Sequence, residues 1–214
     1  MIHSQDRSGY FGASDTKTMM EKNRSTLKWK EFWNVKLGGE SSFHGNEYTR
    51  AGNLWEHSIL TAIDKKINFD RQIILNNPRM LLRVNYDGNN NDTIYEIKTH
   101  KNDREFTVTE PYWMQVQVQM FAWNYAHEHG RTDTEFVPVS KLDTLYIVSY
   151  GLKPNEIYDV DWIDEDDAFA GRLPVEESRL VYHPIKYDKS WIKGEYLPVL
   201  KELTKALRKG KMPI

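Results

Sequence analysis

The chain has 214 residues, of which 39% are hydrophobic, 28% are charged and 13% are aromatic, and its net charge is −2. This composition excludes a disordered chain, and the absence of cysteine excludes disulfides, thiolate metal sites and cysteine nucleophiles. No apolar stretch approaches the roughly 20 residues of a membrane span, and the segment Met1 to Asp15 lacks the apolar region of a signal peptide. We therefore expect a single cytoplasmic domain over residues 1–214 with no membrane partner.

Apolar periodicity predicts helices before position 70. Ser14 or Asp15 is suited to cap a short first helix, and a second helix is expected over Ser25 to Val35, ended by Gly38. A third helix is expected from about Thr49 to Ile67. It carries Glu56, which is either a solvent-facing glutamate or a third carboxylate at a metal site.

The remaining pattern predicts strands mixed with helices, and thus an α/β fold with a central mixed, mostly antiparallel sheet flanked by helices. The expected elements are strands at Gln72 to Leu75, Met80 to Tyr86 and Thr93 to His100, a helix from Thr109 to about Glu128, a strand at Asp143 to Tyr150, an acidic loop with some strand character at Ile157 to Asp167, an edge strand at Arg179 to His183, and a helix at Lys189 to Lys209 in which Pro198 produces a kink.

The main candidates for catalytic residues are Asp87, Glu96 and Lys98, which lie in a predicted hairpin. Strand residues two apart point to the same face, so Glu96 and Lys98 share a face while Ile97 points into the core. A hairpin would bring Asp87 close to Glu96. Two carboxylates beside an ammonium suit one or two hard divalent cations next to a water nucleophile, and hence hydrolysis of a phosphodiester. The alternative is that these charged residues lie on a solvated face at the ends of the strands and have no catalytic role.

Polar residues around this hairpin extend the hypothesis. Gln115 and Gln119 share a helix face at i, i+4, and glutamines beside an apolar stripe suggest donors to a polar group such as a phosphate. Arg104 follows Lys98 by six residues and is suited to clamp a phosphate. Arg7 and Ser14 flank a small-residue loop that offers N–H groups to an anion.

Together these positions resemble the phage lambda exonuclease group of the PD-(D/E)XK nuclease superfamily, over Arg7 to about Met120. The resemblance is carried by Arg7 and Ser14, by Gly52-x-x-x-Glu56, by Asp87-Gly88 with Glu96-Ile97-Lys98, by Arg104 and by Tyr112-x-x-Gln115-x-Gln117. The sequence departs from the family pattern at Tyr86, where the family has proline, and at Ser8 after Arg7. Residues beyond Met120 carry no recognised motif.

The resemblance implies a PD-(D/E)XK nuclease core and a Mg²⁺-dependent 5′→3′ exonuclease acting on the ends of linear double-stranded DNA, with Mn²⁺ substituting for Mg²⁺. It implies that Asp87, Glu96, the Ile97 carbonyl and Glu56 hold the metal, and that Lys98 orients or activates the attacking water. It further implies a pocket for the terminal 5′-phosphate that is formed by Arg7, Ser14, Arg104, Gln115 and Gln117, with Gln115 also in the catalytic set.

Family members form ring-shaped trimers and work in phage recombination with a single-strand annealing protein. The resemblance therefore implies a homo-oligomer and such a partner, in a bacterial or phage-infected cell. Two alternatives stay open from the residues alone. One is an endonuclease of the same fold, of restriction or junction-cleaving type. The other is a non-catalytic DNA-binding subunit.

Overall fold

The computed structural model describes residues 8–41, 45–90, 92–130 and 138–213. Its centre is a sheet of five strands: β1 (Asn68–Asn77), β2 (Met80–Asn89), β3 (Ile94–Lys101), β4 (Thr144–Leu152) and β5 (Leu180–Lys186). The strands lie across the sheet in chain order. Strands β3 and β4 are parallel and the other neighbours are antiparallel, which confirms the predicted mixed sheet.

Helices cover both faces of this sheet. They are α1 (Thr16–Met19), α2 (Leu27–Lys36), α3 (Glu47–Ile63), α4 (Glu110–His129), α5 (Pro154–Tyr158), α6 (Glu165–Phe169), α7 (Lys189–Trp191) and α8 (Leu197–Arg208). No helix within the described residues combines the length and the apolar character that crossing a membrane requires.

Two apolar cores lie on opposite faces of the sheet. On one face, Val116 and Trp123 of α4 belong to the same buried cluster as Val84 and Ile147 of the strands. On the other face, Trp55 of α3 packs in a second cluster that includes Ile97. The predicted inward direction of Ile97 is therefore confirmed, and Glu96 and Lys98 on either side of it face away from that second core.

Several predicted elements differ from the structure. Helix α3 ends at Ile63 rather than Ile67, because Asp64 accepts a hydrogen bond from the Lys66 N–H and closes a turn. The acidic segment Ile157 to Asp167 has no strand: it runs from the end of α5 through a turn into the first residues of α6. Asp164 caps α6 by accepting from the N–H groups of Asp166 and Asp167, a position that favours acidic residues.

The last predicted helix, Lys189 to Lys209, is interrupted just before Pro198. A π-helical turn (Ile192–Tyr196) separates α7 from α8, and Pro198 lies in the first turn of α8. Proline has no N–H to donate and its ring displaces the preceding turn, so a local rearrangement next to it is expected. Helix α4 begins and ends as predicted, with Pro111 in its first turn and Gly130 in the left-handed conformation after its last residue.

Candidate active site

The candidate site begins where β2 and β3 stop pairing. These strands pair at Gly88 with Tyr95 and at Asn89 with Ile94. Beyond that point the Ile97 N–H donates to Oδ2 of Asp87 at 2.8 Å. A side chain thus replaces the backbone acceptor of the neighbouring strand, which opens the sheet beside Glu96 and leaves room for groups from both faces.

Glu96 lies at the base of this opening and is only 2% exposed. Its Oε1 accepts hydrogen bonds of 2.5 Å from Lys98 Nζ and from Gln115 Nε2. Its Oε2 accepts another of 2.5 Å from Gln119 Nε2. A carboxylate offers about four lone-pair positions. The three donors therefore fix the orientation of Glu96 and leave Oε2 with a remaining position for a further ligand.

Helix α3 brings a third carboxylate to the same place. Glu56 lines a cleft of about 370 Å³ together with Asp87, Glu96, Ile97 and Lys98. Gly52, one turn earlier on α3, allows the close approach of the helix to β3, because a Cβ at Gly52 would lie 2.9 Å from Oγ1 of Thr99. The rest of the lining comes from α3, β3, α4, β4 and α5, and includes Tyr48, Thr49, Asn53, His100, Tyr112 and Ile157.

The charge of Glu96 raises the proton affinity of the other two carboxylates. Burial, together with the charges of Glu56 and Glu96, raises the pKa of Asp87 well above its ordinary value. Burial and the charge of Glu96 raise the pKa of Glu56 to about 7. Buried like charges at this density favour uptake of protons or of a cation. The donor set is entirely oxygen, which is the set that Mg²⁺ and other hard cations bind.

Lys98 supplies positive charge within this cluster. Besides its bond to Glu96, its Nζ lies 5.1 Å from the centre of the Tyr112 ring. Burial alone would lower the pKa of Lys98, but the charges of Glu96 and Asp87 outweigh burial and the pKa is raised. Lys98 is therefore an ammonium at neutral pH, able to donate hydrogen bonds and unable to accept a proton.

Glu56 also adjoins an imidazole–carboxylate pair that the sequence did not predict. Ligand atoms of Glu56, His57 and Asp70 lie within 4.8 Å of one another. The His57 Nδ1 donates to the Phe169 carbonyl at 2.8 Å, and its Nε2 lies 3.1 Å from Oδ2 of Asp70. Because both ring nitrogens are engaged, we assign this pair to joining α3, β1 and α6 behind Glu56 and not to binding metal.

The glutamines of α4 divide into two groups. Gln115 and Gln119 both reach Glu96, and Gln119 in addition donates to the Asn85 carbonyl of β2 at 3.2 Å. Gln117 is fully buried and bonds instead to the Lys186 carbonyl and the Asp188 N–H. Gln117 therefore ties α4 to the end of β5 and does not reach the cleft, which removes it from the DNA-binding set expected above.

The proposed phosphate-binding residues are less tightly grouped than the carboxylates. Arg104 is exposed in the loop after β3 and lines a neighbouring hollow that shares His100 with the cleft. Ser14 is exposed in the 3₁₀ turn (Ala13–Asp15) before α1, outside the lining of the cleft. Arg7 lies outside the described residues.

Comparison with known proteins identifies relatives by structure. No protein-family model matches the chain. No curated protein matches it either. Solved structures do match. A phage-related exonuclease from Haemophilus somnus 129PT superposes with a TM-score of 0.60 at 15% identity, over 94% of this chain and 95% of that chain.

The alkaline exonuclease LHK-Exo from Laribacter hongkongensis superposes with a TM-score of 0.56 at 18% identity, over 94% of this chain and 89% of that chain. The same enzyme in complex with dAMP gives 0.55 at 18% identity, over 94% and 91%. The chain therefore has the fold of these phage-related and alkaline exonucleases, and the predicted α/β fold with a central mixed sheet flanked by helices is confirmed.

Proposed function

We propose that this protein is a metal-dependent deoxyribonuclease, and more specifically a Mg²⁺-dependent 5′→3′ exonuclease that degrades linear double-stranded DNA in phage-type recombination. The observation that carries the proposal is the meeting of Glu56, Asp87, Glu96 and Lys98 in one cleft. The fold shared with two exonucleases supports the proposal. It is not sufficient alone, because a fold does not by itself determine function.

The residues fit a hard divalent cation. Glu56, Asp87 and Glu96 supply carboxylate oxygens, and the backbone carbonyl of Ile97, in the strand between the cleft residues, is a further candidate ligand. The raised pKa values of Asp87 and Glu56 indicate a buried site in which the positive charge of Lys98 does not balance the negative charge of the carboxylates. When bound, Mg²⁺ would polarise the phosphoryl group and stabilise negative charge on the leaving oxygen. Mn²⁺ prefers similar ligands and is expected to substitute.

The chain's own groups then have distinct roles. The Lys98 ammonium orients a water molecule for attack and stabilises charge that develops on the phosphate. Because Lys98 stays protonated, it does not take up the proton released by the water, and that proton passes to solvent. Gln115 and Gln119 hold Glu96 in a fixed orientation. From the sequence resemblance, Gln115 is also proposed to bind a phosphate oxygen.

The 5′→3′ direction depends on recognition of the terminal phosphate. We assign Arg104 to this role because it is exposed and lines the same hollow as His100, and His100 borders both the hollow and the cleft. A planar guanidinium binds phosphate through paired hydrogen bonds. Arg7 and Ser14 remain proposed members of the pocket on the strength of the sequence resemblance. The homo-oligomer and the single-strand annealing partner are likewise proposals from that resemblance.

A comparison of DNA topologies tests the exonuclease proposal against the endonuclease alternative. The protein is incubated with Mg²⁺ and the same DNA as a linear duplex, a relaxed closed circle and a linear duplex lacking 5′-phosphates. An exonuclease degrades the phosphorylated linear duplex fastest and leaves the closed circle intact. Nicking or linearisation of the circle would identify an endonuclease. Binding to DNA without cleavage of any substrate would favour a non-catalytic subunit.

A further inference from the structure

An aromatic cluster lies at the mouth of the cleft and takes no part in the chemistry described above. Tyr48 in the first turn of α3 and Tyr158 at the end of α5 hydrogen-bond through their hydroxyls. Their rings are nearly perpendicular, with centroids 5.9 Å apart. The ammonium of Lys101, at the end of β3, lies 5.3 Å from the Tyr48 centroid and 5.7 Å from the Tyr158 centroid.

Both tyrosines are exposed, although large apolar side chains are usually buried. Tyr48 is 38% exposed and Tyr158 is 53% exposed. The two hydroxyls are engaged with each other and with the Lys101 ammonium, so the ring surfaces are the parts of these side chains left for a partner to contact. Exposed aromatic surface next to a functional cleft marks a place where a partner with its own flat apolar surface gains by contact.

The cluster is continuous with the cleft. Tyr48 is itself part of the cleft lining, and Thr49, Gly52 and Asn53 continue that lining along α3 as far as Glu56. The eight residue-to-residue steps from Tyr48 to Glu56 correspond to about 12 Å along a helix axis. That length equals about three or four stacked base steps at roughly 3.4 Å each. A DNA strand whose phosphate lies at Glu56 would therefore pass the tyrosines within a few nucleotides.

Charge around the cluster favours one strand over two. Lys101 contacts both tyrosines, whereas Asp159 and Asp161 follow Tyr158 in the chain. Arg50 lies 3.9 Å from Asp161. A duplex has two rows of phosphates and would bring one of them toward the aspartates. A single strand can place its phosphates toward Lys101 and its bases against the rings. Exposed aromatic rings combined with a basic side chain are the usual means of holding unpaired bases.

We propose that Tyr48, Tyr158 and Lys101 form a stacking platform that binds one or two unpaired bases of a DNA strand at the mouth of the cleft. The proposal deepens the proposed nuclease function, since the strand that it holds is one that extends into the cleft. The platform would favour ends whose strands are frayed or already separated.

Binding of single-stranded DNA in the absence of cleavage tests the platform. The full chain is titrated, with EDTA present, into a fluorescent oligothymidine and into an oligonucleotide carrying 2-aminopurine, whose emission falls when it stacks. Four proteins are compared: wild type, the double variant Tyr48→Ala with Tyr158→Ala, the double variant Tyr48→Phe with Tyr158→Phe, and Trp162→Ala. Trp162 is 51% exposed, follows Tyr158 closely in the chain and is absent from the cleft lining, so it is a matched control for loss of an exposed ring.

The platform predicts that the double alanine variant binds the oligothymidine about tenfold to a hundredfold more weakly and no longer quenches 2-aminopurine. The phenylalanine variant keeps both rings, so its affinity should stay within about threefold of wild type. Trp162→Ala should match wild type. Unchanged affinity and quenching in a folded double alanine variant would overturn the proposal, as would an equal loss in Trp162→Ala.

The binding assay also separates the platform from the nuclease function. If wild type binds single-stranded DNA through the tyrosines but cleaves no substrate, the platform stands and the proposed function fails. If wild type cleaves DNA and the double alanine variant binds and quenches like wild type, the platform alone fails.

Discussion

The backbone N–H of Ile97 donates a 2.8 Å hydrogen bond to the carboxylate of Asp87. This contact holds the two strands together where their ladder has ended, and it fixes the position of one candidate metal ligand relative to the strand that carries two other site residues. Asp87 therefore has a structural role as an acceptor and a proposed chemical role as an anion, and the two roles are separable by mutation.

Asp87→Asn removes the charge and keeps an oxygen that can accept from Ile97. We expect its free energy of unfolding in EDTA to equal or exceed that of wild type, and its activity with Mg²⁺ to fall about a hundredfold or more. Asp87→Ala also leaves the Ile97 N–H without its acceptor, which costs about 1–3 kcal/mol. Chemical denaturation in EDTA and a nuclease assay together check both roles. Full activity in Asp87→Asn would contradict the assignment of Asp87 to the metal.

Glu56 should make the metal-free protein less stable as the pH rises. The pKa of Glu56 is about 7 in the folded chain, against an ordinary value of 4.5 in the unfolded chain. Between pH 4.5 and pH 7 the folded state therefore holds a proton that the unfolded state has lost. The stability that this proton contributes is full below about pH 4.5 and is lost as the pH rises toward 7.

Glu56→Gln removes this titration and one of the buried like charges. At pH 8 in EDTA its Tm should exceed that of wild type, by about 2–4 °C for each kcal/mol regained. With saturating Mg²⁺ its rise in Tm should be smaller than that of wild type, because one oxygen ligand has lost its charge. Thermal denaturation over a pH series, with and without Mg²⁺, measures both effects. A lower Tm for Glu56→Gln in EDTA at pH 8 would contradict the mutual repulsion of these carboxylates.

Gln119 should control the metal requirement through Glu96. It is 1% exposed and donates to Oε2 of Glu96, so it acts as a positioning residue without reaching the substrate. In Gln119→Leu we expect the Mg²⁺ concentration for half-maximal activity to rise about tenfold to a hundredfold, with partial recovery at high Mg²⁺. Gln117→Leu is the matched control, since Gln117 is equally buried on the same helix but bonds to Lys186 and Asp188. Gln117→Leu should lower stability and leave the Mg²⁺ requirement unchanged.

Arg104 should affect ends that carry a phosphate more than ends that do not. Arg104→Ala is expected to slow degradation of a 5′-phosphorylated duplex about tenfold to a hundredfold and to leave a 5′-hydroxyl duplex within about threefold of wild type. The exposed Arg79, in the turn between β1 and β2, provides a control for simple loss of positive charge. Equal losses on both kinds of end, or the same effect in Arg79→Ala, would remove Arg104 from the phosphate pocket.

The sequence predicted the central part of the site because that part depends on local geometry. A period of two residues is sufficient to place Glu96 and Lys98 on one face and Ile97 on the other, and a hairpin is sufficient to bring Asp87 near them. The helical spacing of Gln115 and Gln119 likewise identified the pair that reaches Glu96. Only the family motif predicts a phosphate-binding role for Gln117. Two residues along a helix turn its side chain about 200° away from that of Gln115.

Other features could not be predicted from the sequence because they depend on tertiary contacts. The His57–Asp70 pair joins residues of α3 and β1 through a β1 backbone that holds Asp70 at a positive φ of 53°. The acidic segment becomes helical at α6 because Asp164 caps it, although its composition resembles that of a solvated loop. The platform of Tyr48, Tyr158 and Lys101 joins three elements far apart in the chain.

The most direct test of the account is the digestion of a linear duplex labelled at either the 5′ or the 3′ end, by wild type and by Lys98→Ala, with Mg²⁺ and with EDTA. We expect wild type with Mg²⁺ to release the 5′ label first and to be inactive in EDTA. We expect Lys98→Ala to bind the duplex, to keep its fold and to release no label. Turnover by a folded Lys98→Ala, or cleavage by wild type in EDTA, would contradict a hydrolytic site built from an ammonium and three metal-binding carboxylates.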